Sequence, residues 1–240
     1  RLVRKITTDG SVSSIDIPVT INGANFYSPY DITLDKTTHT LYVTDFNQHL
    51  LKINSDNSMA VIYNGDATTS GIAVGPDGYL YMANNNKATI FQLSKDGLTV
   101  NTYSSDLSVP RNIIFDNAGN MYAAGFDASQ GQAALFRVVK GGATAMYHDP
   151  VFKGYEIAVD KEGNFYEADH FNNVIKIIDK SGNISTIAGN GDAKDVDGAG
   201  LSASFNGPLG LAIDTDGNLY VSTYNFTTAQ GNKIRKIVLE

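Results

Sequence analysis

The chain has 240 residues, of which 42% are hydrophobic and 18% charged, with 23 glycines, 13 tyrosines and 11 phenylalanines but no tryptophan. This composition favours one large all-β domain or two small ones. A formal charge of −7 argues against nucleic-acid binding, the absence of cysteine excludes disulfides and thiolate metal sites, and the apolar runs are too short for a transmembrane helix.

Short strand-like runs recur along the whole chain. It begins with two of them, in "LVRKITTDGSVSSI", and continues with five similar stretches, each with a first apolar run, a tight turn and a second run that contains a tyrosine. Those tyrosines are Tyr42, Tyr81, Tyr122, Tyr166 and Tyr220, at spacings of 39, 41, 44 and 54 residues. A third run follows each tyrosine, and a fourth run completes the first four copies. Self-similarity at this period is typical of repeat proteins.

The turns and the strand patterns predict the architecture. Turns such as "DTDGN" carry glycine and asparagine, which tolerate the positive φ of tight hairpins. In "GLAID" and its counterparts both alternating faces are apolar, so each sheet must be covered on both sides. Four-stranded antiparallel sheets that pack face to face at this period predict an all-β fold, a β-propeller of four-stranded blades.

The last copy, "FNGPLGLAIDTDGNLYVSTYN" at 205–225, closely resembles the NHL repeat, and the looser resemblance of the other copies extends over the whole chain. It implies one NHL-type propeller domain over residues 1–240, as in bacterial exported proteins. Six blades are favoured, one of them incomplete in this chain; the alternative is five, with "GSVSSI" closing the last sheet. The insertion at 189–207 looks like a blade-to-blade connection of bacterial members. We expect it to be a flexible polar segment, with cation binding as the alternative.

Candidate site residues lie at the start of the first strands. The repeat pattern has glycine there, as at Gly71 and Gly210, but three copies carry a polar residue. In propellers these positions lie at the mouth of the central channel, where ligands are usually bound. The departures and their neighbours are Tyr30, Asp31, Arg111, Asn112, Tyr155 and Glu156. The alternative interpretation is a solvated channel mouth that has drifted in sequence.

The ends of the second strands supply the other half of the expected site. Aromatic rings stack on sugars or peptides, while amides and carboxylates fix their orientation. The candidates of this kind are Asp169, His170, Phe171 and Tyr224. For Asp169, as for Asp45, the alternative is a turn in which the carboxylate binds the local backbone.

Metal binding has two sequence interpretations. The turn residues Asp116, Asp160, Asp214 and Asp216 lack the spacing of an EF-hand, so turn chemistry explains them. The four histidines do not supply the three converging ligands of a catalytic zinc. Asp31, Asn112, Glu156 and Asp169 could form a calcium ring like that of lactonase-type propellers. A metal-dependent enzyme would bind its ion through at least three residues of the set formed by these four and His170. We therefore expect no cofactor, with calcium as the alternative.

These observations favour a non-enzymatic binding or interaction module. It would be extracellular, periplasmic or anchored at the cell surface, and it would bind a glycan or a peptide or protein ligand at the channel mouth. No nucleic-acid partner and no membrane insertion are expected. The alternative function is a calcium- or zinc-dependent enzyme of the lactonase or lyase type, with its site in the central channel.

Overall fold

The computed structural model describes residues 2–45, 48–65, 69–105, 107–148, 156–225 and 230–239. The chain divides into two compact units. Unit 1 comprises Arg1–Ile113 and Val139–Ala143, and unit 2 comprises Ile114–Val138 and Thr144–Glu240. The secondary structure is almost entirely β, and the described residues contain no helix long and apolar enough to cross a bilayer.

Unit 1 begins with two small hairpins. The first, here the N-terminal hairpin, pairs β1 (Leu2–Ile6) with β2 (Val12–Asp16), and the second pairs β3 (Thr20–Ile21) with β4 (Ala24–Asn25). Two four-stranded antiparallel sheets follow, blade 1 and blade 2. The strands of blade 1 are β5 (Pro29–Asp35), β6 (Thr40–Asp45), β7 (His49–Ile53) and β8 (Met59–Asn64). The strands of blade 2 are β9 (Thr69–Val74), β10 (Leu80–Asn84), β11 (Thr89–Leu93) and β12 (Val100–Ser104).

Three further sheets complete the described chain. Blade 3, whose residues are divided between the two units, contains β13 (Ser108–Phe115), β14 (Met121–Asp127), β15 (Gln132–Val139) and β16 (Gly142–His148). Blade 4 contains β17 (Ile157–Val159), β18 (Phe165–Asp169), β19 (Val174–Ile178) and β20 (Ile184–Ala188). Blade 5 has three strands, β21 (Pro208–Ile213), β22 (Leu219–Asn225) and β23 (Gln230–Ile237).

The repeated turn phrase locks the hairpin between the first two strands of a blade. The Asp214 carboxylate accepts hydrogen bonds from the backbone N–H of Asn218 (2.8 Å), from its side-chain amide (2.9 Å) and from the hydroxyl of Tyr220 (3.2 Å). The bond from Asn218 holds the pKa of Asp214 below its usual value. Gly217 takes the positive φ of 87° that the turn requires. The same contacts form around Asp116 and Asp160, so turn chemistry accounts for these acidic residues.

The core lies between successive sheets. In unit 1 a cluster joins Tyr42 and Leu50 of blade 1 to Leu80 and Met82 of blade 2. In unit 2 a cluster joins blade 4 to blade 5, with Leu219 and Val221 fully buried. Burying a large apolar side chain contributes roughly 1.5–3 kcal/mol, so these clusters are the main stabilising contacts between blades. Both faces of the second strands β6, β10 and β18 are covered, as the sequence predicted, whereas Ile32 and Leu34 of the first strand β5 are 45% and 44% exposed.

These consecutive up-and-down sheets define a β-propeller fold, so the predicted fold class is confirmed. The described residues form five blades, which corrects the favoured expectation of six and agrees with the alternative. The closure expected from "GSVSSI" is not found among the described strand pairs, because β2 pairs with β1 and the blade 5 sheet ends at β23. The reason is local: a short turn joins β1 to β2, and Val3 and Ile15 pack against the blade 1 core.

The insertion before β21 has defined structure, which corrects the expectation of a flexible segment. Arg235 of β23 donates to the carbonyl of Val196 (2.8 Å), to the carbonyl of Ser204 and to Asp197, and its guanidinium stacks 4.5 Å from the Phe205 ring centroid. A short 3₁₀ turn at Gly200–Ser202 completes it. One arginine therefore fixes the insertion onto blade 5, through contacts more than 30 residues apart in sequence that no local pattern reveals.

Candidate functional site

β-bulges occur at the positions where the repeat pattern has glycine. In blade 1, Tyr30 and Asp31 together lie opposite the single residue Thr44. Blades 2 and 5 have the same two-to-one arrangement at Gly71 and Gly210. A bulge bends the strand and re-aims the side chains at the bulged positions. The sequence identified these positions as departures from the repeat pattern. It did not reveal the bulges, since a bulge depends on the pairing register of two strands.

Hydroxyl groups satisfy the backbone N–H groups that the bulges release from the ladder. The N–H of Asp31 donates to Thr44 Oγ1 (3.2 Å), and the N–H of Gly210 donates to Ser222 Oγ (2.9 Å). Thr44 in turn donates to the carbonyl of Ser70 (2.9 Å), in the bulge of the next blade. A buried amide without a partner costs about 1–3 kcal/mol, so these small polar residues support the bulged backbone.

Asp31 connects two consecutive blades of unit 1. Its carboxylate accepts from the N–H of Ile72 in β9 (2.8 Å) and from the N–H of the adjacent Ile32 (2.7 Å). Burial raises the pKa of this half-buried carboxyl to about 6, although both hydrogen bonds favour the charged form. Because each oxygen already has a backbone partner, the geometry gives Asp31 a structural role as a bridge between blades.

Close packing explains which bulges keep glycine. A Cβ at Gly71 would lie 2.6 Å from the carbonyl oxygen of Arg111 and 2.7 Å from the Cα of Asn112 in the next blade. A Cβ at Gly210 would lie 3.1 Å from a carboxylate oxygen of Glu156 in the preceding blade. The bulge of blade 2 therefore contacts the first strand of blade 3, and the bulge of blade 5 contacts the residue before the first strand of blade 4. Arg111 and Glu156 are half-buried and Asn112 is buried.

An aromatic cluster lies at the ends of the second strands of blades 4 and 5. The name covers His170, Phe171 and Tyr224: the rings of the first two are in contact, and the backbone of Tyr224 lies beside them. The rings of His170 and Phe171 meet edge to face, with centroids 5.3 Å apart and planes at 89°, and Phe171 is 56% exposed. Gly207 brings the two strand ends together: its carbonyl accepts from the N–H of Tyr224 (2.8 Å), and a Cβ there would lie 2.7 Å from His170 Cε1.

Asparagine side chains hold the backbone beneath this cluster. Asn173 accepts from the N–H of Gly207 (3.0 Å) and donates to the carbonyl of Gly191 (3.2 Å). Asn225 donates to the side-chain oxygen of Asn206 (2.8 Å). Gly207, with φ at +65°, and these asparagines were not among the predicted site residues. The signal was present in the sequence, since the phrase "FNGP" stands where the insertion rejoins the blade.

The buried Asp169 is held by contacts within its own blade. It accepts from the N–H (3.1 Å) and side-chain amide (2.8 Å) of Asn172, and Lys176 Nζ lies 2.9 Å away. Asp45 is held similarly, by the N–H of His49 (2.9 Å) and by its ring Nδ1 (2.9 Å). Both carboxylates therefore follow the structural-turn alternative. The buried Asp45–His49 pair was not predicted, and its only sequence signal is a spacing of four residues.

The alternative of a calcium ring stays a prediction. Within the described ranges no group of three or more histidine and carboxylate side chains is arranged to hold a metal ion. Asp31 and Asp169 already have protein partners at both oxygens.

The predicted site residues are distributed over both units. Unit 1 contains Tyr30, Asp31, Arg111 and Asn112, and unit 2 contains Glu156, Asp169, His170, Phe171 and Tyr224. Tyr155 lies outside the described residues. The structure brings together His170, Phe171 and Tyr224 in unit 2, and Asp31 with the start of β9 in unit 1.

Comparison with known proteins places the chain among β-propellers. No family model matches it, so the NHL resemblance stays a prediction. The protein SUPPRESSOR OF QUENCHING 1, chloroplastic, of Arabidopsis thaliana is 25% identical over 217 residues, which cover 82% of this chain and 18% of that protein. The chain thus spans less than a fifth of that relative's length.

Two solved structures illustrate the range of functions on this fold. A streptogramin B lyase superposes with a TM-score of 0.67 at 18% identity, over 100% of this chain and 72% of the other. An auxiliary nutrient binding protein from Bacteroides ovatus superposes with a TM-score of 0.68 at 17% identity, over 99% and 64%. The similar structures are β-propellers and include both binding proteins and enzymes. At these identities they establish the fold alone.

Proposed function

We propose that this chain is a non-enzymatic binding module that holds a glycan at the aromatic cluster of unit 2. One observation carries the proposal: the Phe171 ring is 56% exposed, yet it is held against His170 next to Tyr224. An exposed aromatic ring that is held in a fixed orientation is available for stacking, and stacking on a ring is how proteins bind the apolar face of a sugar.

The chemistry around the cluster favours a neutral ligand. The chain carries a formal charge of −7, which disfavours anionic ligands at long range. The neighbouring asparagines offer amide donors and acceptors of the kind that orient sugar hydroxyls. The nutrient-binding similar structure supports the binding function, and an exported or cell-surface location is part of the same proposal.

A peptide ligand and the lactonase- or lyase-type enzyme are the competing proposals. The lyase among the similar structures keeps the enzymatic alternative open. A metal-dependent enzyme requires a stoichiometric divalent ion, so elemental analysis of the purified protein tests it directly.

The binding proposal is tested with Phe171→Ala. A glycan array and a peptide array identify the ligand class, and titration calorimetry then measures the affinity of each variant. We expect Phe171→Ala to weaken glycan binding about tenfold, as loss of one stacked ring implies. The control is Tyr79→Ala, since Tyr79 is 41% exposed but lies in the hairpin turn of blade 2.

Three results would count against the proposal. Binding only to the peptide array would assign the site to a peptide ligand. Equal effects of Phe171→Ala and Tyr79→Ala would remove the aromatic cluster as the site. Unchanged glycan affinity in Phe171→Ala would also show that the aromatic cluster is not the binding site.

A further inference from the structure

An aromatic or imidazole ring recurs at one position of the repeat in unit 2. The fourth residue after the repeat tyrosine is Phe126 in blade 3, His170 in blade 4 and Tyr224 in blade 5. The last two belong to the aromatic cluster, whereas Phe126 does not. In blade 2 the same position holds Asn85, whose side-chain oxygen accepts from the hydroxyl of Ser70 (3.1 Å). A blade therefore folds with an amide at this position, so the fold itself does not require the ring of Phe126.

Phe126 lies near the end of β14 and is 39% exposed. The register between β14 and β15 is unbroken, so Phe126 shares its face of the sheet with Tyr122 and Ala124. Both of these residues pack against blade 4, and the ring centroid of Tyr122 lies 4.8 Å from that of Phe165. The ring of Phe126 is therefore on the side of blade 3 that faces blade 4.

Phe126 and Phe171 lie at the same end of their blades. The ring contact between Tyr122 and Phe165 fixes the relative height of β14 and β18, which are both second strands. Phe126 follows Tyr122 by four residues, and Phe171 follows Phe165 by six. Since stacked sheets lie about 10 Å apart, the two exposed rings are separated by roughly one sheet spacing. That span is longer than one sugar ring, so a single sugar covers only one of the two side chains.

We propose that the bound glycan is an oligosaccharide, with one sugar stacked on Phe171 and another sugar of the same chain stacked on Phe126. This inference rests on the proposed function, because it extends the glycan site from blades 4 and 5 to blade 3. Stacking on a phenyl ring needs no charge on the sugar, which agrees with a neutral ligand. A monosaccharide at Phe171 does not reach Phe126, so Phe126 contributes to the affinity for long chains only.

The test measures how affinity depends on the length of the glycan. The probes are neutral oligosaccharides of the cello, malto, manno and xylo series, each from the monosaccharide to the hexasaccharide, and titration calorimetry measures their affinity for the full chain. We expect affinity to rise with length until both rings are covered and then to stay constant. Phe126→Ala is expected to weaken binding of the hexasaccharide about tenfold and to leave the monosaccharide unchanged, whereas Phe171→Ala weakens binding at every length.

Met146→Ala is the matched control, since Met146 is 37% exposed and lies in β16 of the same blade. Urea unfolding shows whether each variant is folded. Equal effects of Phe126→Ala and Met146→Ala, or an affinity that does not depend on length, would overturn the oligosaccharide inference and leave the site at Phe171 in place. Loss of affinity in Phe126→Ala but not in Phe171→Ala would instead remove the aromatic cluster as the site, and the proposed function with it. Absence of binding by every probe would overturn both.

Discussion

The Asp31 carboxylate, which links blade 1 to Ile72 of blade 2, is expected to make the stability of the chain depend on pH. The substitution Asp31→Asn is expected to remove this dependence. Burial raises the pKa of Asp31 from 3.8 to about 6 in the folded chain. An acid with a raised pKa binds its proton more tightly when folded. Its contribution to stability is therefore complete below its unfolded pKa and is lost as the pH rises through the folded pKa.

The shift sets the size of the effect. Each pKa unit corresponds to about 1.4 kcal/mol, so a shift of about two units gives an upper bound of about 3 kcal/mol. Since Asp31 is only half-buried, solvent screening reduces this to about 1–2 kcal/mol. Asparagine keeps an oxygen that can accept from the N–H of Ile72 but does not titrate, so the variant lacks this loss.

Urea unfolding of both proteins between pH 4 and pH 7 measures the difference. We expect the free energy of unfolding of Asp31→Asn to rise relative to the original chain by about 1–2 kcal/mol across this range. Asp179→Asn is the control with the opposite sign, because the hydrogen bond from Asn183 holds the pKa of Asp179 below its usual value. A difference that does not change with pH, or one of opposite sign, would refute the description of Asp31.

Two other substitutions test the packing between elements. Gly71→Ala is expected to lower the free energy of unfolding in urea by about 1–3 kcal/mol, because the added Cβ meets the backbone of Arg111. Its control is Gly131→Ala, which has open space around the added Cβ and is expected to cost only the backbone strain of about 1 kcal/mol. Arg235→Ala is expected to cost about 2 kcal/mol and to speed hydrogen exchange in the insertion, since the carbonyls of Val196 and Ser204 each lose one of their two donors. Arg137→Ala is its control, with an exposed side chain and a bond to Asn120; equal exchange of the insertion in both variants would contradict the role of Arg235.

The sequence was sufficient for the blades because their determinants are local. In the last copy, Asp214, Gly217, Asn218 and Tyr220 lie within seven residues and form one hydrogen-bonded turn. A local signal that recurs five times predicts the strands, their order and the fold class. The blade number was harder, since β1 and β2 read as part of a blade but pair only with each other among the described strands.

The site was predicted less well because its determinants are not local. Asp31 was correctly identified as a departure from the repeat, but its partner at Ile72 lies 41 residues away. The contact between Gly207 and His170 likewise depends on how blades 4 and 5 pack. The repeat pattern indicated that Phe171 and Tyr224 follow second strands and lie at one end of the blades. Only the packing shows that Phe171 contacts His170.

The most direct test of the binding function is a titration followed by NMR. Backbone and aromatic resonances of the full chain are recorded as the best ligand from the glycan array is added. Binding at the aromatic cluster predicts the largest shifts at Phe171, Tyr224 and Gly207, and in Phe171→Ala about ten times more ligand is needed to reach the same shifts at Tyr224 and Gly207. An unchanged titration midpoint in Phe171→Ala, or shifts that fall away from blades 4 and 5, would contradict the proposed site.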